Sequence, residues 1–163
     1  MAEVVLALTV RDLTEADLGS CSWSGSALHL EAVARALDRA RRDEVDYLAV
    51  CPPSGLPVAM CGVDYQAKPG AGTIWQLGVH PALQSCGIGT VLIHAAEQRI
   101  LGRGLRRAEL GVEEDNQRAR ALYERLGYVS YGSEPDAWDE LGPDGAVRRY
   151  ETVCTLMRKQ LGR

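Results

Sequence analysis

The chain has 163 residues, a formal net charge of −4, 46% hydrophobic and 25% charged residues, and no Phe. That length fits one domain over 1–163 with room for a real core, and the acidic balance speaks against a general nucleic-acid or anionic-membrane binder, which needs a basic face. The five cysteines, Cys21, Cys51, Cys61, Cys86 and Cys154, are odd in number and contain no C-x-x-C, so neither a disulfide framework nor a zinc site is expected. A reducing, cytoplasmic setting is the expectation. No secretory leader or membrane-length apolar run is seen.

Val4 to Val10 reads as a first strand. Thr14, with Asp17 three positions on, resembles a capping box opening a short helix. Ala27 to Arg42 is an amphipathic helix, with Leu30, Val33, Ala34 and Leu37 at i, i+3, i+4 and i+7. Tyr47 to Cys51 and Pro57 to Tyr65 flank Pro52-Pro53-Ser54-Gly55 and form an expected antiparallel hairpin. Thr73 to Val79 is the next strand. A Gly-containing loop then leads into a helix from about Ile88 to Leu101, which Gly102 and Gly104 end. Ala108, Leu110 and Val112 alternate as a strand, Asn116 to Leu126 is a helix stopped by Gly127, and Tyr128 begins another strand. An acidic, turn-rich stretch carrying Glu134, Asp136, Asp139, Glu140 and Asp144 precedes a last strand, Tyr150 to Met157. Strand–helix–strand–helix–strand predicts local parallel pairing. The expected fold is α/β: a single mixed, mostly antiparallel sheet of six to seven strands with helices on both faces.

The chemistry concentrates at Gln84-Ser85-Cys86-Gly87-Ile88-Gly89, between a strand and a helix. A helix start offers unpaired N–H groups and partial positive charge, which suit phosphate. Gly87 and Gly89 keep side chains out of the approach, and Thr90 adds a hydroxyl. No Walker string exists, and a Rossmann fingerprint would need Gly or Ala where Leu92 stands.

The loop resembles the [Q/R]-x-x-G-x-[G/A] motif of the GNAT superfamily of acetyl-CoA-dependent N-acetyltransferases. Leu77-Gly78-Val79-His80-Pro81 before it is similar to that family's L-x-V-x-P. Asn116 to Tyr128 after it is similar to N-x-x-A-x-x-L-Y-x-x-x-G-[F/Y]. The resemblance is good over roughly Thr73 to Tyr131. It implies transfer of an acetyl group from acetyl-CoA to a primary amine, by direct attack in a ternary complex and without a metal. The acceptor implied is a small-molecule or peptide amine, with no nucleic acid or membrane involved. The family also contains homodimers, though no residue here encodes one.

By the same resemblance the loop and Thr90 take the diphosphate, and Leu77, Gly78 and Val79 offer backbone groups to the pantetheine. Gly78 is the expected bulge residue of that strand. Asn116 would bond the pantetheine, Ala119 would leave room for it, and Tyr123 would be the acid at the thioester sulfur. From its helix alone, Tyr123 reads as a packing residue, in one stripe with Ala119, Leu122 and Leu126; the flanking Asn116 and the loop turn the reading toward the acid. Gln84 and Cys86 stand where many members carry Arg or Lys, which removes positive charge from the loop. Cys86 is read as a small residue fitting the turn.

Of the arginines between Arg99 and Arg125, most read as solvated, and none is singled out for the 3′-phosphate. Glu113 is the first candidate for the general base, with Glu114, Asp115, His80 or a relayed water as rivals. Gln76 faces the site by strand parity but does not titrate. The carboxylates from Glu134 to Asp144 either attract a cationic acceptor or form a solvated hairpin around Asp144-Gly145. Rival functions are a non-catalytic acyl-CoA sensor and a protein N-terminal acetyltransferase.

Overall fold

A computed structural model describes residues 1–162. Its element order is β1 (Thr9–Asp12), α1 (Ala27–Arg41), β2 (Val45–Cys51), β3 (Ala59–Asp64), β4 (Gly72–Val79), α2 (Ile88–Gly102), β5 (Arg107–Glu113), α3 (Gln117–Arg125), β6 (Val129–Leu141) and β7 (Val147–Gln160). The strands form one seven-stranded sheet in the order β1-β2-β3-β4-β5-β7-β6. Every adjacent pair is antiparallel except β4 and β5. This is the mixed, mostly antiparallel sheet expected from the sequence.

Alternation along the strands sorts the core onto two faces. On β2, Leu48 and Val50 join a cluster with Leu92, Ile93, Ala96 and Ile100 of α2 and Tyr123 of α3. Tyr47, Ala49 and Cys51, pointing the other way, join Val33, Ala36 and Leu37 of α1. Helix α1 therefore covers one face, and α2 with α3 cover the other.

Three local expectations are corrected. The first strand is Thr9–Asp12, not Val4 to Val10, although Val4 and Val5 are β-branched. Thr9 pairs with Cys51, so earlier residues would lie against Pro52 and Pro53, which have no N–H to donate. Val4, Val5 and Leu6 are instead exposed. The Thr14 turn is a 3-10 helix, Glu15–Ser20, and Asp17 accepts the Thr14 N–H at 2.8 Å as the capping pattern requires.

Parallel pairing is also narrower than expected. β4 and β5 pair only from Gly72↔Ala108 to Ile74↔Leu110, and β7 inserts between β5 and β6. Finally, the acidic stretch is not a run of turns. It forms most of β6, a 13-residue strand that pairs with β7 throughout except at a register shift between Ser130 and Gly132. Asp139 bridges Arg149, Glu140 bridges Arg148 and Glu134 bridges Lys68. Opposite charges across the hairpin favour this pairing, and only the tip at Asp144-Gly145 remains a turn.

Candidate active site

Beyond Ile74 and Leu110, β4 and β5 separate, and the edge of β4 that faces β5 has no strand beside it. The separation begins at a bulge. Met60 pairs with Gly78 but Gly62 pairs with Trp75, so β4 carries one residue more than β3 across that step. The extra residue includes Gln76, whose φ is +54°. Gly78, the expected bulge residue, instead sits in register. The reason is a side-chain anchor: buried Tyr47 donates its hydroxyl to Gln76 Oε1 at 2.9 Å, which holds a non-glycine residue in a left-handed conformation. Tyr47 and Trp75 also meet edge to face, with centroids 5.9 Å apart. Gly62 between them makes this contact possible, since a Cβ there would lie 2.3 Å from the Trp75 ring.

The gap is a cavity of about 1110 Å³ that runs through the sheet. Asn116, Ala119 and Tyr123 of α3 line it from one face; Leu28, Ala32 and Arg35 of α1 line it from the other. Gln76, Leu77 and Gly78 form one wall, and Gly111 to Glu113 form the opposite one. Asn116, Ala119 and Tyr123 share a helix face at i, i+3 and i+7. Asn116 is the N-cap of α3, its Oδ1 accepting from Ala119 N at 3.2 Å, so its amide N–H groups remain for a ligand.

The tyrosines separate by what their hydroxyls do. There are six. Tyr47 bonds Gln76, Tyr65 bonds Asp46, Tyr128 bonds Glu97, Tyr131 bonds Glu109 and Tyr150 bonds Glu113. Tyr123 alone gives its hydroxyl to no side chain among the described residues, and it faces the cavity. Burial raises its pKa to about 12, with the nearby Cys61 adding to the shift. This hydroxyl has no protein partner among the described residues and can be reached from the cavity.

At the other end of the exposed segment Gln84 to Gly87 lies the start of α2. Gly87 is its N-cap at φ +81°, a value that suits glycine, and no side chain caps the helix among the described residues. The N–H groups of Ile88, Gly89 and Thr90 thus lack intrahelical acceptors. Ser85 also has a positive φ, 61°, and its hydroxyl receives a hydrogen bond from Arg118 of α3. The sequence showed the loop short of positive charge and singled out no arginine. The fold brings one back from the neighbouring helix, and no motif spacing marks it. Gln84 reaches Val79 O at 3.4 Å, while Cys86 is exposed and lies 3.6 Å from Gln84 O.

Among the candidate bases, Glu113 alone lines the cavity. It ends β5 and accepts a hydrogen bond from Tyr150 at 2.6 Å. Glu114 and Asp115 lie outside it. His80 uses Nδ1 to accept Ala82 N–H and packs its ring on Trp23. Glu134, Asp136, Asp139 and Glu140 do line the mouth, but Lys68, Arg149 and Arg148 neutralise three of them, leaving Asp136 without an ion pair among the described residues. No group of three or more metal-ligating side chains converges among the described residues, and no helix there is long and apolar enough to cross a membrane.

The sheet is mixed, splits at a bulge, and its fourth strand leads into an uncapped helix start; the chain belongs to the acetyltransferase (GNAT) family, whose model matches residues 11–128. Among individual proteins, it is similar to the mycothiol acetyltransferase of Mycobacteroides abscessus, 44% identical over 62 residues, which are 38% of this chain and 21% of that one. The chain thus matches about a fifth of that relative's length. In fold it is similar to a ribosomal-protein-alanine N-acetyltransferase from Brucella melitensis, with TM-score 0.71, 19% identity, and 94% and 99% of the two chains covered. It is likewise similar to YncA, a putative acetyltransferase from Salmonella typhimurium solved with its cofactor acetyl-CoA. There the TM-score is 0.72 and the identity 18%, over 96% and 95% of the chains.

Proposed function

We propose that the protein transfers an acetyl group from acetyl-CoA to a primary amine of a small molecule. The unpaired hydroxyl of Tyr123 inside the split of the sheet carries this reading. A module that only held CoA would have no use for a donor at that point. The residues fit the cosubstrate. The start of α2 with Arg118 takes the diphosphate, and the free edge of β4 pairs with the pantetheine amides as an added strand would. Asn116 offers amide donors to the same arm.

In the reaction the neutral amine attacks the thioester carbonyl. A C–N bond forms, the C–S bond breaks, and the sulfur takes the electron pair. A backbone N–H of β4 beyond the bulge stabilises the carbonyl oxygen as it becomes negative. The amine proton passes to Glu113, directly or through water. Tyr123 then acts as a hydrogen-bond donor to the departing thiolate. With its pKa near 12 against about 8.5 for a thiol, it holds its proton better than the thiolate does. Its contribution is therefore stabilisation of the leaving group, and the thiolate takes its proton from solvent on release.

The test is thiol release from acetyl-CoA across a panel of primary amines, with peptides bearing free N-termini as a separate arm. Turnover of small amines supports the reading, and turnover of peptides alone assigns the protein to N-terminal acetylation. CoA binding without release from any acceptor would identify an acyl-CoA sensor instead.

A further inference from the structure

Among the polar side chains that line the cavity and that the reaction above leaves idle, Gln76 is held in place by a buried partner. Gln76 sits at the bulge, facing α1, and lines the cavity. Its carboxamide is not free to choose its orientation. Tyr47, 2% exposed, gives its hydroxyl to Oε1, and burial keeps that phenol protonated by raising its pKa. One lone pair of Oε1 is thereby taken and the plane of the amide is fixed. The Nε2 hydrogens have no partner among the described residues and belong to a group that lines the cavity. A side chain oriented in this way has both N–H donors left for a ligand.

We infer that Gln76 selects the acceptor by donating Nε2–H to an oxygen carried close to its amine, so that the preferred substrates are amino alcohols, amino amides and similar oxygen-bearing amines. The attacking nitrogen must keep its lone pair for the carbonyl carbon, so a fixed N–H donor is poorly matched to the amine itself. An oxygen two or three bonds away satisfies it without competing with attack. An alkyl amine of the same shape covers these donors without pairing them, and a site built on a hydrogen bond discriminates against such an isostere. Asp136 complements this arrangement at the mouth, as a carboxylate that draws in the protonated amine before it loses its proton.

This inference rests on the proposed acetyl transfer, and the experiment separates the two. Thiol release is measured with ethanolamine and propylamine, and with glycinamide and butylamine, as near-isosteric pairs. Wild-type protein should favour the oxygen-bearing member of each pair in kcat/KM. Gln76→Gly accepts the positive φ without strain, so the bulge persists while the carboxamide is lost. It should reduce that preference by about tenfold, with the CoA dissociation constant within about twofold, while the melting temperature falls because the buried Tyr47 hydroxyl loses its acceptor. Tyr47→Phe frees Oε1 and should lower the same ratio. A preference unchanged in Gln76→Gly, or wild-type protein that prefers the alkyl members, overturns the inference while leaving acetyl transfer intact. No release with any amine overturns acetyl transfer, and the inference falls with it.

Discussion

Tyr123 and Tyr128 are five residues apart and touch edge to face, with centroids 6.3 Å apart, yet their roles diverge. Tyr128 closes a buried triad in which Glu97 also accepts from Lys159 at 3.0 and 3.1 Å, so its hydroxyl serves stability. The hydroxyl of Tyr123 has no such duty. Tyr123→Phe should then leave the melting temperature nearly unchanged, because no protein hydrogen bond is lost. It should lower kcat by about ten- to thousandfold with CoA affinity retained. Calorimetry and steady-state kinetics on one preparation check both; equal kcat for the two proteins would return Tyr123 to packing. The raised pKa predicts a further signature. A tyrosine with a folded pKa near 12 keeps its proton throughout ordinary working pH. The kcat profile should rise with pH as the bound amine loses its proton, and show no descending limb from Tyr123 between pH 8 and about 11. A fall in that range that is absent in Tyr123→Phe would mean a much lower pKa.

At the scale of elements, the site depends on two junctions. At the first, α3 supplies Arg118 to the α2 loop. If this guanidinium replaces the charge that Gln84 and Cys86 leave out, Arg118→Ala should weaken CoA binding by about ten- to thirtyfold, in line with loss of a charge-assisted bond worth about 1.5 to 2 kcal/mol. Titration calorimetry with CoA checks this. Binding unchanged by the substitution would leave Arg118 as a surface residue bonded to Ser85. At the second junction, Gly62 of β3 accommodates Trp75 of β4. Gly62→Ala puts a methyl 2.3 Å from the ring. Trp75 must shift, along with the Tyr47 contact and the bulge beside it. Overpacking of this kind costs about 1 to 3 kcal/mol, and acceptor KM should rise alongside the lower melting temperature. A normal KM in a destabilised protein would show that the bulge does not depend on Trp75.

For the whole molecule, ligand and fold are coupled because the cavity exists only where β4 and β5 are held apart by the rest of the sheet. CoA at about 100 times its dissociation constant should stabilise the folded state by about 2.7 kcal/mol. For a chain of this length that is a rise in melting temperature of about 5 to 10 °C. Gly89→Glu should abolish the rise. A Cβ at Gly89 meets Leu122 and Val79 only at ordinary contact distances, 3.6 and 3.9 Å, so the fold accepts the substitution while the added carboxylate sets negative charge at the start of α2, where the proposed diphosphate binds. An equal shift in wild type and variant would place CoA elsewhere. The hairpin of β6 and β7 is the other global feature. Its carboxylates largely answer its own arginines, so acidic composition alone would have overstated the attraction of this face for a cationic substrate.

Most of the fold was legible in the sequence because its signals are local. Leu30, Val33 and Leu37 mark α1 by period, Pro52-Pro53 ends β2, and Gly104, at φ +78°, lies just past the end of α2. The loop from Gln84 to Gly89 and the helix holding Asn116, Ala119 and Tyr123 were legible as motifs, since each is a short run of residue types at fixed spacing. Tertiary structure decided what depends on partners distant in sequence. Val4 and Val5 have the composition of a strand and no neighbour with which to form one. Gln76, not the more permissive Gly78, became the bulge because Tyr47, 29 residues away, bonds it. Arg118 was one arginine among several until α3 packed beside the loop. The hydroxyl of Tyr123 was distinguished only once the other five tyrosines had found their partners. Backbone propensity and motif spacing are properties of a few consecutive residues, whereas an unpaired hydroxyl, a strained φ or a borrowed charge is a property of the space that the whole chain encloses.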